Sequence, residues 1–163
     1  MSTEYKDWLT DLSDEQRRNY ELCMKYPILI PHSCWTGEVV KDYMYEFTNL
    51  DNIPTGWRIA FGELWAAEVQ EAINKLPTEE RDKIMIMDLK EKFGSFRQHF
   101  SYYTKELKEV LDKYEKLSRH VCIRCGEPAT KISLGWISPY CDVCSEKIPD
   151  KKINIDEWFE EAK

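Results

Sequence analysis

Apolar residues recur at spacings of three and four in two long segments of the chain, which is the pattern of an amphipathic helix with one buried face. The first set consists of Trp57, Phe61, Leu64, Trp65, Val69, Ala72, Ile73 and Leu76. Pro77 ends this set, because proline interrupts a helix. The second set consists of Leu107, Val110, Leu111, Tyr114, Leu117 and Val121. These stripes predict the two main helices of the hydrophobic core, since a stripe of this kind lines a core far more often than a cofactor.

The N-terminal part of the chain predicts two shorter helices. Ser13 and Gln16 stand in the order of a capping box, so a helix should begin there and end before Pro27. Residues 27–31, with a proline at each end, indicate an extended segment. Apolar positions at spacings of three and four then predict a short helix at residues 38–47.

Between the two main helices, two extended stretches predict a β-hairpin. Residues 83–88 are apolar and rich in Ile and Met, and a second extended stretch reaches Tyr103. A Phe-Gly-Ser-Phe sequence separates them, which places the turn at residues 92–95. Further along, Asn154 and Glu157 form another capping-box pattern, so a short helix should begin there.

Four cysteines near the C-terminus carry the most specific signal in the chain. Cys122 and Cys125 form one C-x-x-C pair, Cys141 and Cys144 form a second, and fifteen residues lie between the pairs. This spacing is typical of one tetrahedral Zn²⁺ site with four thiolate ligands. Two short apolar stretches joined through Gly135 lie between the pairs, so we expect a zinc ribbon. Such a small hairpin buries little surface, and metal binding should supply much of its folding free energy.

A catalytic zinc site is the alternative at these cysteines. The sequence Cys-Gly-Glu at residues 125–127 and the later Pro-x-Cys-x-x-Cys superficially resemble elements of zinc deaminases. The agreement fails because Pro139 does not directly precede Cys141 and because the intervening loop is short for a pocket. Cys122 would also fill the position that a catalytic zinc leaves for water. We therefore expect a closed, structural site.

Together these elements predict an α+β fold, in which helices surround a short antiparallel β-hairpin and a four-cysteine zinc-ribbon module follows at the C-terminus. The expected domains are an acidic α+β body at residues 1–121, the zinc-ribbon module at residues 122–145 and a tail with a short helix at residues 146–163. The second main helix runs directly into Cys122, so the module should be anchored to the core.

The composition narrows the class of protein. A chain of 163 residues with 13% aromatic residues can form a real core, and a net charge of -7 makes it acidic. Residues 1–56 hold ten Asp and Glu against five Lys and Arg, and such a segment can dock on a basic protein. The apolar runs are too short to span a bilayer, and no signal-peptide pattern is present, so we expect a cytoplasmic protein without membrane contact. In the cytoplasm, C-x-x-C pairs indicate metal ligands rather than disulfides.

The sequence Lys90-Glu-Lys-Phe-Gly-Ser-Phe-Arg97 is a second candidate site. Basic residues flank aromatic residues around a glycine, and this arrangement can stack bases and meet phosphates. The candidates for contact with a ligand or partner are Lys90, Lys92, Phe93, Gly94, Phe96 and Arg97. A hairpin turn with solvated charges is the structural alternative. The net charge of -7 argues against broad phosphate binding.

No catalytic set emerges from the remaining residues. His32 and Cys34 lie in one predicted loop, with Cys23 nearby in sequence, so a second metal site or a nucleophilic pair can be imagined. Buried or partly exposed thiols beside an ordinary histidine explain the same residues better. The chain has no phosphate-binding glycine loop, H-E-x-x-H or G-x-S-x-G sequence, so we expect no enzymatic activity.

Four motifs in order support a family resemblance. A Gly-Trp at residues 56–57 opens a helix, the basic and aromatic sequence at residues 90–97 follows, and a further helix runs into Cys-x-x-Cys-Gly. A second Gly-Trp, at residues 135–136, precedes the last C-x-x-C pair. Over residues 56–145 this order resembles small zinc-ribbon-like proteins of bacteriophages and prophages whose function is unassigned. The resemblance implies a phage-like context, in which small acidic proteins often bind a host factor.

Two functional hypotheses follow from these observations. The leading one is a non-enzymatic interaction protein that binds and modulates a host protein, such as a nucleic-acid enzyme or a defence complex, with Zn²⁺ purely structural. The acidic segment and exposed aromatic residues would then supply the contact. The second is a nucleic-acid-binding zinc protein, whose binding would weaken steeply with added salt. It would use Lys90, Lys92, Arg97, Arg119, Arg124 and Lys131.

Overall fold

A computed structural model describes residues 8–161 of the chain. The helices are α1 (Asp14–Lys25), α2 (Thr55–Trp57, Arg58–Gly62 and Glu63–Asn74 in succession), α3 (Thr78–Arg81), α4 (Lys105–Ser118), α5 (Asp142–Ser145) and α6 (Ile155–Glu161). The strands are β1 (Ile86–Lys92), β2 (Ser95–Phe100), β3 (Lys131–Ser133), β4 (Pro139–Tyr140) and β5 (Lys152–Asn154). β1 and β2 form one antiparallel sheet, and a second antiparallel sheet has the order β4-β3-β5. The prediction of a mixed helix-and-strand fold is confirmed.

The first predicted core helix forms as α2. Trp57, Phe61 and Trp65 are spaced four residues apart and are buried. The middle segment, Arg58–Gly62, has π-helical hydrogen bonds and lies between two α-helical segments. Leu64 was expected in the core but is 64% exposed. It directly precedes Trp65, so its side chain points about a quarter of a turn away from the buried stripe.

The second predicted core helix is α4, which packs against α2 and β2. The Thr104 hydroxyl caps it by accepting a hydrogen bond from the Leu107 N–H at 3.1 Å. Leu107 and Tyr114 lie on its buried face. The hydroxyl of Ser118, in its last turn, accepts a hydrogen bond from the Phe96 N–H at 2.9 Å. This bond fixes the end of α4, and hence the start of the cysteine segment, against β2.

The sheet of β1 and β2 covers one side of the core. Phe93 and Gly94 join the two strands. Phe96 and Phe100 are buried, and their ring centroids lie 5.6 and 6.4 Å from that of Trp65. The inner face of the sheet is therefore part of the main core.

The second sheet and α6 form a small apolar cluster beside the cysteines. Its buried members are Ala129, Ile132 and Ile155, and Ile137, Trp158 and Phe159 pack against them. The Ile155 N–H donates to the Thr130 carbonyl at 3.0 Å, which joins the start of α6 to the sheet. α6 begins one residue after the capping residue that the sequence predicted.

The N-terminal part agrees with the sequence at α1 and departs from it afterwards. At α1 both hydrogen bonds of the Ser13–Gln16 capping box are present. Residues 27–31 are not extended, because Pro27–Leu29 forms a 3₁₀ turn. The predicted helix at residues 38–47 is wrong.

The physical reason for the error at residues 38–47 lies in the backbone. Asp42 and Tyr45 have positive φ values of 57° and 63°, which a right-handed helix does not allow. Side chains of α1 satisfy the carbonyls of this segment instead. The Asn19 amide donates to the Tyr45 carbonyl at 2.8 Å, and the Gln16 amide donates to the Met44 carbonyl at 3.0 Å. Apolar spacing alone could not reveal these contacts.

The length and apolar character of the helices bear on membrane insertion. Within residues 8–161, none of them combines the length and the apolar character that a bilayer crossing requires.

Candidate metal centre

The four cysteines of the two C-x-x-C pairs come together in space. The Sγ atoms of Cys122, Cys125, Cys141 and Cys144 all lie within 4.8 Å of one another. The Cys125 and Cys141 sulfurs, which belong to different pairs, are 3.6 Å apart. Cys122 and Cys141 are buried, whereas Cys125 and Cys144 are half-buried. Four thiols in one cluster form a donor set that can hold a metal ion.

The first pair lies on a tight turn after α4. The Cys122 N–H donates to the Glu127 carbonyl at 2.7 Å, and the Gly126 N–H donates to the Cys122 carbonyl at 3.1 Å. Gly126 has φ +85°, a conformation that glycine adopts without strain. Val121 and Pro128 close the turn as an isolated β-bridge. We call this turn, residues 121–128, the first knuckle.

The second pair lies at the start of α5. Cys141 is the N-cap residue, and its sulfur accepts a hydrogen bond from the Cys144 N–H at 3.4 Å. The Ile123 N–H of the first knuckle donates to the Pro139 carbonyl at 3.0 Å, so backbone contacts also join the two pairs. Strands β3 and β4 lie between the two pairs in the sequence, and their antiparallel pairing returns the chain so that the second pair lies beside the first.

Burial and hydrogen bonds shift the pKa values of Cys122 and Cys144 in opposite directions. Burial raises the pKa of the Cys122 thiol, but N–H groups of Cys141, Cys125 and Arg124 donate to it, and the net effect lowers this pKa to about 7. Burial and hydrogen bonds with the other thiols raise the pKa of Cys144 to about 12. One thiolate is therefore available near neutral pH before any metal binds.

These acidities predict how metal affinity depends on pH. Metal binding requires thiolates, so Cys144 and Cys125, whose pKa values are both raised, must each release a proton on binding. Cys122 adds a further competing proton only below its pKa of about 7. We expect affinity for Zn²⁺ to fall as the pH is lowered from about 8 to about 6, with a steeper fall below about pH 7. Competition with a chromophoric chelator measures this, and a pH-independent affinity would contradict it.

The structure separates the candidate contact residues of the hairpin. Lys90 and Arg97 are opposite each other on the outer, exposed face, and Lys92 lies on the same face. Phe93 is 67% exposed at the turn. Phe96 is fully buried in the core, so it does not present its ring to a ligand. Gly94, the second residue of the turn, is also buried.

The basic residues proposed for nucleic-acid binding do not form an unpaired patch. Arg97 and Arg119 share the carboxylate of Glu115, at 3.3 and 3.9 Å. Lys90 pairs with Asp88 at 3.3 Å. Half of the six basic candidates are thus paired with carboxylates, and the Arg97–Glu115 pair joins β2 to α4.

Cys23, His32 and Cys34 do not assemble into a site. Cys23 is fully buried, and its sulfur lies 3.8 Å from the Tyr43 hydroxyl. Cys34 is exposed, and the His32 Nδ1 is 2.7 Å from the Ile30 carbonyl oxygen. Among residues 8–161, the four C-terminal cysteines are the single group of three or more potential metal ligands that lies close enough together.

A turn at residues 32–39, which we call the metal-free turn, repeats the first knuckle with Ser33 and Thr36 in place of its two cysteines. The Ser33 N–H donates to the Glu38 carbonyl and the Gly37 N–H donates to the Ser33 carbonyl, both at 2.8 Å, as Cys122 and Gly126 do in the first knuckle. Gly37 has φ +76°. The Ser33 hydroxyl stands in the position of the Cys122 thiol. It accepts hydrogen bonds from the N–H groups of Trp35 and Thr36 at 3.2 and 3.4 Å. Both turns have Gly-Glu at equivalent positions, Gly37-Glu38 and Gly126-Glu127, and this repeat was the signal available in the sequence.

The aromatic side chains at two loop tips were also missed by sequence reasoning. Trp35, on the metal-free turn, is 96% exposed, and Trp136, between β3 and β4, is 72% exposed. Trp57 and Trp65 lie on a predicted apolar helix stripe, whereas the sequence around Trp35 and Trp136 has no such periodicity and does not show whether they are exposed.

Comparisons of the chain with protein-family models, curated proteins and solved structures return no match.

Proposed function

We propose that the chain is a non-enzymatic interaction protein of phage-like context, which binds and modulates a host protein. In this proposal residues 122–145 form a zinc ribbon, and Zn²⁺ acts only as a structural ion. The exposed aromatic residues Trp35, Phe93 and Trp136 carry the proposal, because burying a large apolar side chain is worth about 1.5–3 kcal/mol. A protein that buries other tryptophans but leaves these in water can recover that free energy on binding a partner.

The donor set supports zinc as a structural ion. A tetrahedron with Zn–S bonds of about 2.3 Å has sulfur–sulfur edges of about 3.8 Å. The Cys125–Cys141 sulfur distance of 3.6 Å is close to this edge. Four thiolates complete the tetrahedron, so Cys122 takes the place that a catalytic zinc gives to water.

The charge distribution favours a protein partner over nucleic acid. A surface that follows a phosphate backbone needs cations free to replace counterions. Here Lys90, Arg97 and Arg119 already pair with carboxylates, and the chain has a net charge of -7. These carboxylates would repel a strand that approached the same face.

Metal content tests the first half of the proposal. We expect purified protein to contain one Zn²⁺ per chain, with a shell of four sulfur atoms in X-ray absorption. A shell that includes oxygen or nitrogen would contradict a closed structural site.

A comparative pull-down tests the second half. Tagged wild-type chain in host extract should retain a stoichiometric protein partner after nuclease treatment. A Leu64→Ser variant is the matched control, because Leu64 is comparably exposed on α2 but is aliphatic and lies away from the loop tips. This variant should retain the same partner. No retained partner, or retention that nuclease abolishes, would overturn the proposal.

A further inference from the structure

The residue at the tip of the β1–β2 hairpin is unusual for its backbone conformation. Phe93 and Gly94 form a two-residue turn with φ values of +53° and +79°. Turns with two positive φ values strongly prefer Asn, Asp or Gly at the first position, and a bulky aromatic residue there is an outlier. Phe93 is 67% exposed, so the burial of its side chain offsets little of the conformational strain. A strained residue on the surface points to a function outside the fold.

A small groove beside Phe93 brings a second exposed aromatic residue to the same place. The groove has a volume of about 210 Å³. Its lining consists of Glu91, Lys92, Phe93, Gly135, Trp136 and Ile137. Hydrogen bonds hold both of its loops in place. The Gly94 N–H donates to the Glu91 carboxylate at 2.7 Å, and the Trp136 N–H donates to the Asp150 carboxylate at 3.3 Å. The groove is therefore preformed.

A further cavity beside Phe93 is lined by aromatic residues of the chain itself. Phe93 and Gly94 line a further cavity of about 250 Å³ together with Arg119, Trp158 and Phe159. These last two aromatic residues belong to α6, which also carries Asp156 and Glu157 in its first turn. An acidic helix of the chain itself thus places aromatic rings beside the hairpin tip and a cation.

The charges of a larger groove beside Phe93 suit an acidic ligand. Phe93 also borders a groove of about 870 Å³, whose charged lining is Lys90, Lys92, Arg97 and Lys108 with Asp88, Asp112 and Glu115. Asp88 and Glu115 are already in ion pairs. In the described part of the chain, neither Lys92 nor Lys108 forms an ion pair, and Lys92 lies 5.6 Å from the Phe93 ring centre.

We propose that the groove between Phe93 and Trp136 binds an acidic peptide segment of the partner protein. An aromatic side chain of the peptide would fill the groove, and its carboxylates would meet Lys92 and Lys108. A single-stranded nucleic acid fits less well, because it carries a negative charge at every nucleotide, whereas a peptide can place one or two carboxylates at Lys92 and Lys108 and avoid the bordering acidic side chains. This inference rests on the proposed function and names the chemistry of the partner.

Selection from a displayed library of short random peptides tests the proposal. The zinc-loaded, full-length wild type and a Phe93→Asn variant serve as parallel targets. Wild type should enrich peptides in which an aromatic residue is flanked by Asp or Glu. The most enriched peptide should bind Phe93→Asn and Trp136→Ser at least about tenfold more weakly. Leu64→Ser, which lines neither groove, should bind within about twofold of wild type.

The Phe93→Asn variant separates a binding role from a folding role. Asn tolerates positive φ, so this variant should melt at the same temperature as wild type or higher while it loses the peptide. A lower melting temperature together with lost binding would show that Phe93 serves the fold, and would overturn the proposal. Enrichment of peptides without acidic residues, or equal binding by Phe93→Asn, would do the same.

Two further outcomes identify what fails. If oligothymidine displaces the peptide, binds wild type more tightly and loses affinity in the same variants, the groove is a nucleic-acid site. If the partner from host extract is retained equally by wild type, Phe93→Asn and Trp136→Ser, the proposed function stands and the groove assignment is wrong.

Discussion

Replacing Cys122 with Ser should remove the metal and lower the free energy of unfolding by about 3 kcal/mol or more, since zinc binding in small zinc domains is worth about 10–16 kcal/mol. Cys122 is fully buried, and its turn is bonded to the main core. The Trp57 indole N–H donates to the Val121 carbonyl at 2.9 Å, directly before the first ligand. Loss of the metal should therefore weaken the core around α2 as well as the cysteine segment.

Thermal and urea unfolding of wild type and Cys122→Ser, each with and without chelator, measure this effect. Cys34→Ser is the matched control, because Cys34 is an exposed thiol outside the cluster. The control should keep its metal and change the unfolding free energy by at most about 0.5 kcal/mol. If chelator leaves wild-type unfolding unchanged, the metal is not part of the folded structure.

Gly56→Ala should be at least as disruptive, although Gly56 is not a metal ligand. A Cβ atom at Gly56 would lie 2.1 Å from the Cys122 carbonyl oxygen and 2.5 Å from the Ile123 carbonyl carbon. Both atoms belong to backbone, so neither can rotate away. The Gly56 N–H also donates to the Ile123 carbonyl at 2.8 Å. We expect a loss of about 3 kcal/mol in unfolding free energy and weaker zinc affinity, because the first knuckle must move.

Gly62→Ala provides the control for this substitution within the same helix. Its Cβ would meet a side-chain atom, the Arg58 Cγ, at 3.2 Å. Replacing a helical glycine with alanine normally stabilises by about 0.5–1 kcal/mol, so this variant should melt near or above wild type. Equal melting temperatures and zinc affinities for Gly56→Ala and wild type would show that α2 does not support the metal centre.

Local rules predicted the parts of the fold that depend on neighbouring residues. The capping box of α1, the buried stripe of α2 and the grouping of the four cysteines each follow from spacing over a few residues or from ligand chemistry. The class of mixed helices and strands follows from the same patterns. These predictions needed no knowledge of distant contacts.

Contacts between distant parts of the chain account for what the sequence could not show. The side chain of Asn19 bonds to a carbonyl 26 residues away and replaces the helix expected at residues 38–47. Arg97 pairs with Glu115 on α4, which neutralises one of the six basic residues proposed for nucleic-acid binding. The Trp136 N–H donates to the carboxylate of Asp150, 14 residues away, at 3.3 Å. Spacing carries no information about any of these partners.

The metal-free turn at residues 32–39 bears on what a metal would contribute to this protein. Ser33 forms the same bonds with a hydroxyl that Cys122 forms with a thiol, so the first knuckle can take its shape from hydrogen bonds without a metal. The ion would then act as a cross-link between the prefolded first knuckle and the second cysteine pair, much as a disulfide joins two loops. Its release would loosen the second cysteine pair and the β4-β3-β5 sheet from the body, and the shape of the first knuckle would persist.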